Sequence, residues 1–205
     1  MKKWLKLNNN FYRLQTEYIM KYICKFLLWI LGWKAVLPPI DGPKGIILGV
    51  PHTSVWDFII SWIYYTSVGG RASVMVKSDF FKGPLAPVMR WLGAVPVDRK
   101  RGATVAKQVI DAMNKAEVMH LAIAPEGTRQ LTEKWKTGFH TIARACNCPV
   151  YLGYFDWGTK RISRGERFDL TDDVQGDLKR IRQYYKDLGI VAKHPELFTT
   201  GSDLD

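Results

Sequence analysis

A chain of 205 residues, 47% of them hydrophobic, is long enough for one α/β domain with a proper core, and no linker, internal repeat or low-complexity tract marks a second. Lysine and arginine outnumber aspartate and glutamate by 30 to 19, a formal balance of +11 that points to an anionic partner: nucleic acid, phosphorylated small molecules or an acidic membrane surface. Cys24, Cys146 and Cys148 include no C-x-x-C, which argues against a disulfide framework or a zinc site and suits a reducing, cytosolic-side setting.

Residues 2–37 are aromatic and basic, with Trp4, Tyr12, Tyr18, Tyr22, Phe26, Trp29 and Trp33 set among Lys2, Lys3, Lys6, Lys21, Lys25 and Lys34. The most apolar run, residues 26–31, is far short of the roughly 18 apolar residues a spanning helix needs. No small-residue cleavage site follows it, unlike in a signal peptide. The pattern predicts an amphipathic helical segment over residues 1–40 that lies in the membrane interface, with rings at the headgroup level and lysines drawn to anionic lipid. That implies a peripheral or monotopic protein on the cytoplasmic face; the alternative is a helix that packs its apolar stripe on the domain.

The Pro-rich stretch 37–43 breaks this pattern, and the apolar run 46–50 then predicts a buried strand that delivers Pro51-His52. Residues five apart on a regular helix point about 140° away from each other. His52 and Asp57 can therefore meet only if His52 stays outside the helix. Ser54-Val55-Trp56-Asp57 fits a capping box, which puts His52 on the loop before the helix and Asp57 in its first turn. The spacing alone suits either an ordinary loop histidine beside a capping carboxylate or an Asp-oriented imidazole acting as a general base.

The helix opened by Ser54 should end by Gly69-Gly70, and residues 73–77 read as a second strand. A Phe-Phe-Lys turn and a short apolar helix precede the strand 93–97, which runs into Asp98-Arg99-Lys100-Arg101. Cations just past a strand end are either a solvated charge run or a phosphate holder. Residues 103–116 carry apolar side chains at helical spacing, and the run 118–124 feeds Pro125-Glu126-Gly127-Thr128-Arg129. A strand over 149–155 and a helix from about 171 to a stop at Gly189 complete the chain. This alternation predicts a single α/β domain over 41–205 with a mixed, largely parallel sheet flanked by helices. Among the remaining histidines, His120 in an apolar strand reads as a core residue, His140 as a helix-face residue and His194 as tail surface; none pairs with His52 at a metal-ligand spacing.

Four blocks in order, His52-x-x-x-x-Asp57, residues 93–99 (Gly-Ala-Val-Pro-Val-Asp-Arg), Pro125-Glu126-Gly127-Thr128-Arg129 and the strand led by Pro149-Val150, resemble the glycerolipid acyltransferase family, typified by 1-acylglycerol-3-phosphate O-acyltransferases. Lys136-Thr137-Gly138 resembles the Lys-x-Gly that follows the Glu-Gly-Thr-Arg turn, and the resemblance runs from about residue 46 to 155. It implies that His52 deprotonates an acceptor hydroxyl for attack on an acyl thioester, that Asp57 fixes the ring, and that no metal or cofactor is needed. It implies further that Arg99, Glu126, Gly127, Thr128, Arg129 and Lys136 bind substrate, with Arg99 on the acceptor's phosphate. The donor would be acyl-CoA or acyl carrier protein, and the acceptor a lysophospholipid, 1-acylglycerol-3-phosphate giving phosphatidic acid.

Pro51 in place of the usual Asn, Ala124 in place of Phe and the short N-terminus leave the acceptor open, with amino-acid lipids as alternatives. A non-catalytic basic protein that binds membrane or nucleic acid is the rival from another class. Its weakness as a nucleic-acid binder is that the aromatics sit in the N-terminal segment and in core-like runs instead of along a basic groove.

Overall fold

The computed structural model describes residues 2–98 and 104–201, with side chains from residue 15 onward. A long helix α1 (Lys2–Ile30) leads into a short strand β1 (Lys34–Ala35). Then follow β2 (Lys44–Val50), α2 (Val55–Ser67), β3 (Ala72–Lys77), α3 (Ala86–Trp91), β4 (Ala94–Val97) and α4 (Val105–Lys115). The chain continues through β5 (Met119–Ile123), α5 (Gly138–Cys146), β6 (Val150–Asp156), β7 (Arg161–Ser163), β8 (Arg167–Phe168) and α6 (Val174–Leu188). This is a single α/β domain whose sheet is mixed and mostly parallel.

The sheet has the order β1-β7-β6-β2-β5-β3-β4, with β8 also paired to β6. Strands β6, β2, β5, β3 and β4 are mutually parallel, while β7 and β8 run antiparallel to β6. The N-terminal segment belongs to this sheet through β1, which pairs in parallel with β7. Strand alternation sorts the side chains between two layers. Ile46, Leu48 and Val50 of β2 join Val109, Met113, Phe139, Ile142, Ile181 and Tyr185, beneath α4, α5 and α6. Ile47 of the same strand packs on the opposite face with Ile60, Ile63 and Tyr64 of α2 and with Cys24 and Leu28 of α1.

That division places the site. The helix after β2 crosses one face and the helix after β5 crosses the other, although the two strands are adjacent and parallel, Leu48 opposite Ile123. The loops leaving their carboxyl ends therefore splay apart and leave a crevice, the switch point at which open α/β sheets hold ligands. His52 and Glu126, two and three residues beyond the two strands, face each other there.

Two glycines have a conformational reason. Gly93 has φ +78 where β3 and β4 close, and a Cβ there would come within 2.5 Å of the Ala72 carbonyl oxygen; Gly165 has φ +72 and sits against the Leu152 carbonyl. Neither site admits a side chain without moving backbone. The sequence reading missed the short strands β1, β7 and β8, and had α5 only as the helix whose face carries His140.

Candidate active site

The loop between β2 and α2 is built by local chemistry. Ser54 is the helix N-cap in extended geometry (φ −144, ψ 159), and the capping box with Asp57 is complete. Asp57 is buried, and its Oδ2 accepts hydrogen bonds from the backbone N–H groups of Thr53 and Ser54, both at 2.7 Å. The indole of Trp157, beyond the end of β6, donates to Oδ1 at 2.9 Å. Burial pushes the Asp57 carboxyl above its ordinary range, opposed by the Ser54 amide, the Trp157 indole, the Thr53 amide and the nearby His52. Three donors hold this carboxylate in one orientation.

His52 lies outside the helix, as helix geometry requires, and is partly exposed. Its Nδ1 is 3.7 Å from Asp57 Oδ2. That is longer than a hydrogen bond and short enough for strong attraction once the ring is protonated. The His52 backbone is fixed from the other side, where its N–H donates to Glu126 Oε1 at 2.9 Å.

Glu126 is 6% exposed, and its Oε2 is buried with no hydrogen-bond partner. Burial pushes its carboxyl up to about 7, opposed by the His52 N–H and its own amide and reinforced by the charge of Asp57. The carboxyl thus sits behind the histidine loop as a support, and the turn that carries it presents the following residues outward. Gly127 has φ +66, and a Cβ there would meet the Lys136 side chain at 2.9 Å. Lys136 N donates to Pro125 O at 2.7 Å and Thr128 Oγ1 accepts from Gln130 N at 3.1 Å, which closes the turn. Arg129 is exposed and lines a cleft beside the Thr53–Trp56 loop.

Of the residues singled out from sequence, the fold brings together His52, Asp57 and Glu126, with Gly127, Thr128, Arg129 and Lys136 on the adjoining turn. Arg99, predicted on the acceptor's phosphate, lies outside the described residues. His120 is buried, bonded to Tyr65 Oη at 2.7 Å and to the Gly42 carbonyl at 3.0 Å, a satisfied core residue. His140 lies on helix α5, on its buried face, with Nε2 3.1 Å from the Thr171 carbonyl and 3.2 Å from Asp177 Oδ2. The stripe of α5 turns that face inward. Among the described residues no group of three or more His, Cys, Asp or Glu is placed to hold a metal ion.

Trp157 escaped the sequence reading. Its hundred-residue separation from Asp57 is bridged only by the β2–β6 pairing, so no local pattern could signal it.

The acyltransferase family model matches residues 38–152. The crystal structure of the 1-acyl-sn-glycerophosphate (LPA) acyltransferase, PlsC, from Thermotoga maritima is similar in fold, with a TM-score of 0.56 and 15% sequence identity over 85% of this chain and 78% of that one. A comparison with curated proteins finds no match. The matched residues take in the histidine loop, β5 and the Glu126 turn, more than half of the molecule, and on that footing the chain belongs to the acyltransferase family and is an acyltransferase.

Proposed function

We propose that the enzyme moves a fatty acyl group from an acyl thioester, acyl-CoA or acyl carrier protein, to the hydroxyl of a lysophospholipid, foremost 1-acylglycerol-3-phosphate. The observation that carries the reading is the His52 ring beside a buried Asp57 held by three donors, at the switch-point crevice and next to the Arg129 turn. The 1-acyl-sn-glycerophosphate acceptor of the similar Thermotoga maritima enzyme supports the choice of substrate.

In this mechanism neutral His52 takes the hydroxyl proton as the acceptor oxygen attacks the thioester carbonyl carbon. The C–O bond forms, the C–S bond breaks, and the departing thiolate takes the proton back from the imidazolium. An alcohol is a poor nucleophile until a base removes its proton in the transition state, and the Asp57 charge 3.7 Å away favours the imidazolium while it lasts. Arg129 and Arg99 would hold the acceptor's phosphate with planar donor forks, with Gly127, Thr128 and Lys136 shaping that part of the site.

A long-chain lysophospholipid resides at a lipid surface, and α1 offers a means of reaching it. Among the described residues no helix is long and apolar enough to cross a membrane. Helix α1 nevertheless presents Tyr18, Tyr22, Phe26, Trp29 and Ile30 outward, with Lys21 and Lys25 among them, which supports docking on an anionic membrane. The cytoplasmic face is the side on which CoA and carrier-protein thioesters occur, and three free cysteines suit it.

His52→Ala should lower acyl transfer about 10²–10⁴-fold, the usual worth of a general base, with an unchanged circular dichroism spectrum. The assay uses a labelled acyl thioester with lysophosphatidic acid and a phosphate-free lyso-amino-acid lipid side by side. Wild-type turnover in the variant would sink the mechanism, and transfer confined to the phosphate-free acceptor would reassign the substrate.

A further inference from the structure

Beyond the family-matched residues 38–152 the chain returns over the histidine loop. Trp157 N donates to Val191 O at 2.9 Å, and Val191 N donates to Asp156 Oδ1 at 3.0 Å. Ala192 is buried, and His194 N reaches Thr53 Oγ1 at 3.3 Å. Lys193 is thereby fixed between an anchored stretch and the active-site loop. Its ammonium lies 4.3 Å from the Trp157 ring centroid and 5.5 Å from that of Trp56. Trp157 is the ring that donates to Asp57, and Trp56 is Asp57's neighbour in sequence.

Lys193, His194 and Arg129 line one cleft with Trp56, about 560 Å³ in volume, beside the loop that carries His52. Among the described residues no carboxylate lines it. Glu196 Oε1 is 3.6 Å from His194 Nδ1. Among the described residues neither Lys193 nor Arg129 is paired with a carboxylate. An ammonium held against ring faces is restrained without using its N–H donors, and a guanidinium offers a planar fork. Two cations from separate parts of the chain, neither paired with a carboxylate among the described residues, thus line one cleft beside the histidine loop. Around a bound dianion both can make charge-assisted hydrogen bonds.

We propose that Lys193, carried on the C-terminal strap, recognises a phosphate ester of a substrate in this cleft together with Arg129. The identity of the substrates rests on the acyl-transfer reading; the phosphate belongs to the acceptor's headgroup or to CoA, and the two are separable by measurement.

Calorimetric titration of the full chain with glycerol 3-phosphate and, separately, with CoA tests the site without turnover. Lys193→Met keeps the aliphatic stem on the two indoles and removes the charge; Lys193→Arg keeps both. Lys193→Met should weaken binding of one probe about tenfold or more, and Lys193→Arg should stay within about threefold of wild type, the scale of one charge-assisted hydrogen bond. The KM of the corresponding substrate should rise by a similar factor with kcat within about threefold. The probe that loses affinity identifies the phosphate. Wild-type affinity in Lys193→Met, no binding of either probe by the wild type, or a fall in kcat with both KM values unchanged would each overturn the proposal. Intact, Lys193-dependent phosphate binding without acyl transfer to any acceptor would leave the subsite standing and remove the acyl-transfer reading instead.

Discussion

Glu126 places a carboxyl with one oxygen on the His52 N–H and the other buried without a partner, an arrangement that favours the neutral acid. A neutral acid keeps its carbonyl oxygen for the His52 N–H, and Gln reproduces that half of the group. Glu126→Gln should therefore preserve turnover within a few-fold, whereas Glu126→Ala leaves the His52 N–H unsatisfied and frees the loop. The alanine variant should lose about 1–3 kcal/mol of stability and about tenfold or more in kcat as the base is displaced.

The same carboxyl gives stability a pH dependence of defined sign. Its folded value of about 7 lies above its ordinary 4.5, so between these values the folded chain holds a proton that the unfolded chain has released. Stability contributed below that window is lost as pH rises through it. Asp57, also pushed upward by burial, acts in the same direction. Denaturant unfolding at about pH 5 and about pH 7.5 should show the wild type losing on the order of 2 kcal/mol more than Glu126→Gln between the two. Equal losses would mean that Glu126 is not the group responsible.

At the scale of elements, the β2–α2 junction concentrates the site's precision in one capping box. Ser54 Oγ accepts from Trp56 N at 3.2 Å while Asp57 returns to the Ser54 and Thr53 amides. Ser54→Ala should cost about 0.5–2 kcal/mol and lower kcat with little change in either KM, since Asp57 keeps its position less strictly once the reciprocal bond is gone. Unaltered stability and kcat would show that the Asp57 bonds suffice alone.

This junction was legible in the sequence because it is local: Pro51, the Ser-x-x-Asp box and the apolar runs on either side specify it within a few residues. The helices α2, α4 and α6 and the strands β2, β5 and β6 were legible for the same reason, through their periodicity. The strand order was not, because nothing in residues 44–50 says that β5 and β6 will flank them. Hence the two residues that depend on that order were out of reach: Trp157, which meets Asp57 across the β2–β6 pair, and Lys193, which arrives by way of Asp156 and Trp157. Glu126 was visible as part of a motif, yet its contact with the His52 backbone follows only from the Leu48–Ile123 register. The bounds of helix α5 were hidden by a different cause, since residues 124–137 before it form an irregular turn with no cap: Thr137 makes no side-chain cap bond.

For the molecule as a whole, α1 carries both features that the sequence reading set against each other, a packed stripe and an exposed aromatic, basic face. Cys24 and Leu28 are buried against α2, with Trp33 just beyond the helix, while Phe26, Trp29 and Ile30 are 57%, 74% and 58% exposed on other sides of the same turns. A deletion of the segment would strip the first group from the core, so any loss of membrane binding would be confounded by unfolding. Substitution of the second group separates the two. With a net charge of +11 and Lys21 and Lys25 beside the exposed rings, the proposed docking combines apolar insertion with attraction to anionic headgroups. Replacing Phe26, Trp29 and Ile30 together with Ser removes three side chains that are each worth roughly 1.5–3 kcal/mol when fully buried. Partition onto phosphatidylglycerol vesicles should then fall roughly 100-fold or more. The cooperative unfolding transition should stay near that of the wild type, because none of the three belongs to the core, and transfer to a short-chain, water-soluble acceptor should persist. Vesicle co-sedimentation at wild-type level would show that α1 is not the docking element, and the exposed apolar residues of the β3–β4 connection, Phe80, Leu85, Val88 and Trp91, would become the next surface to substitute.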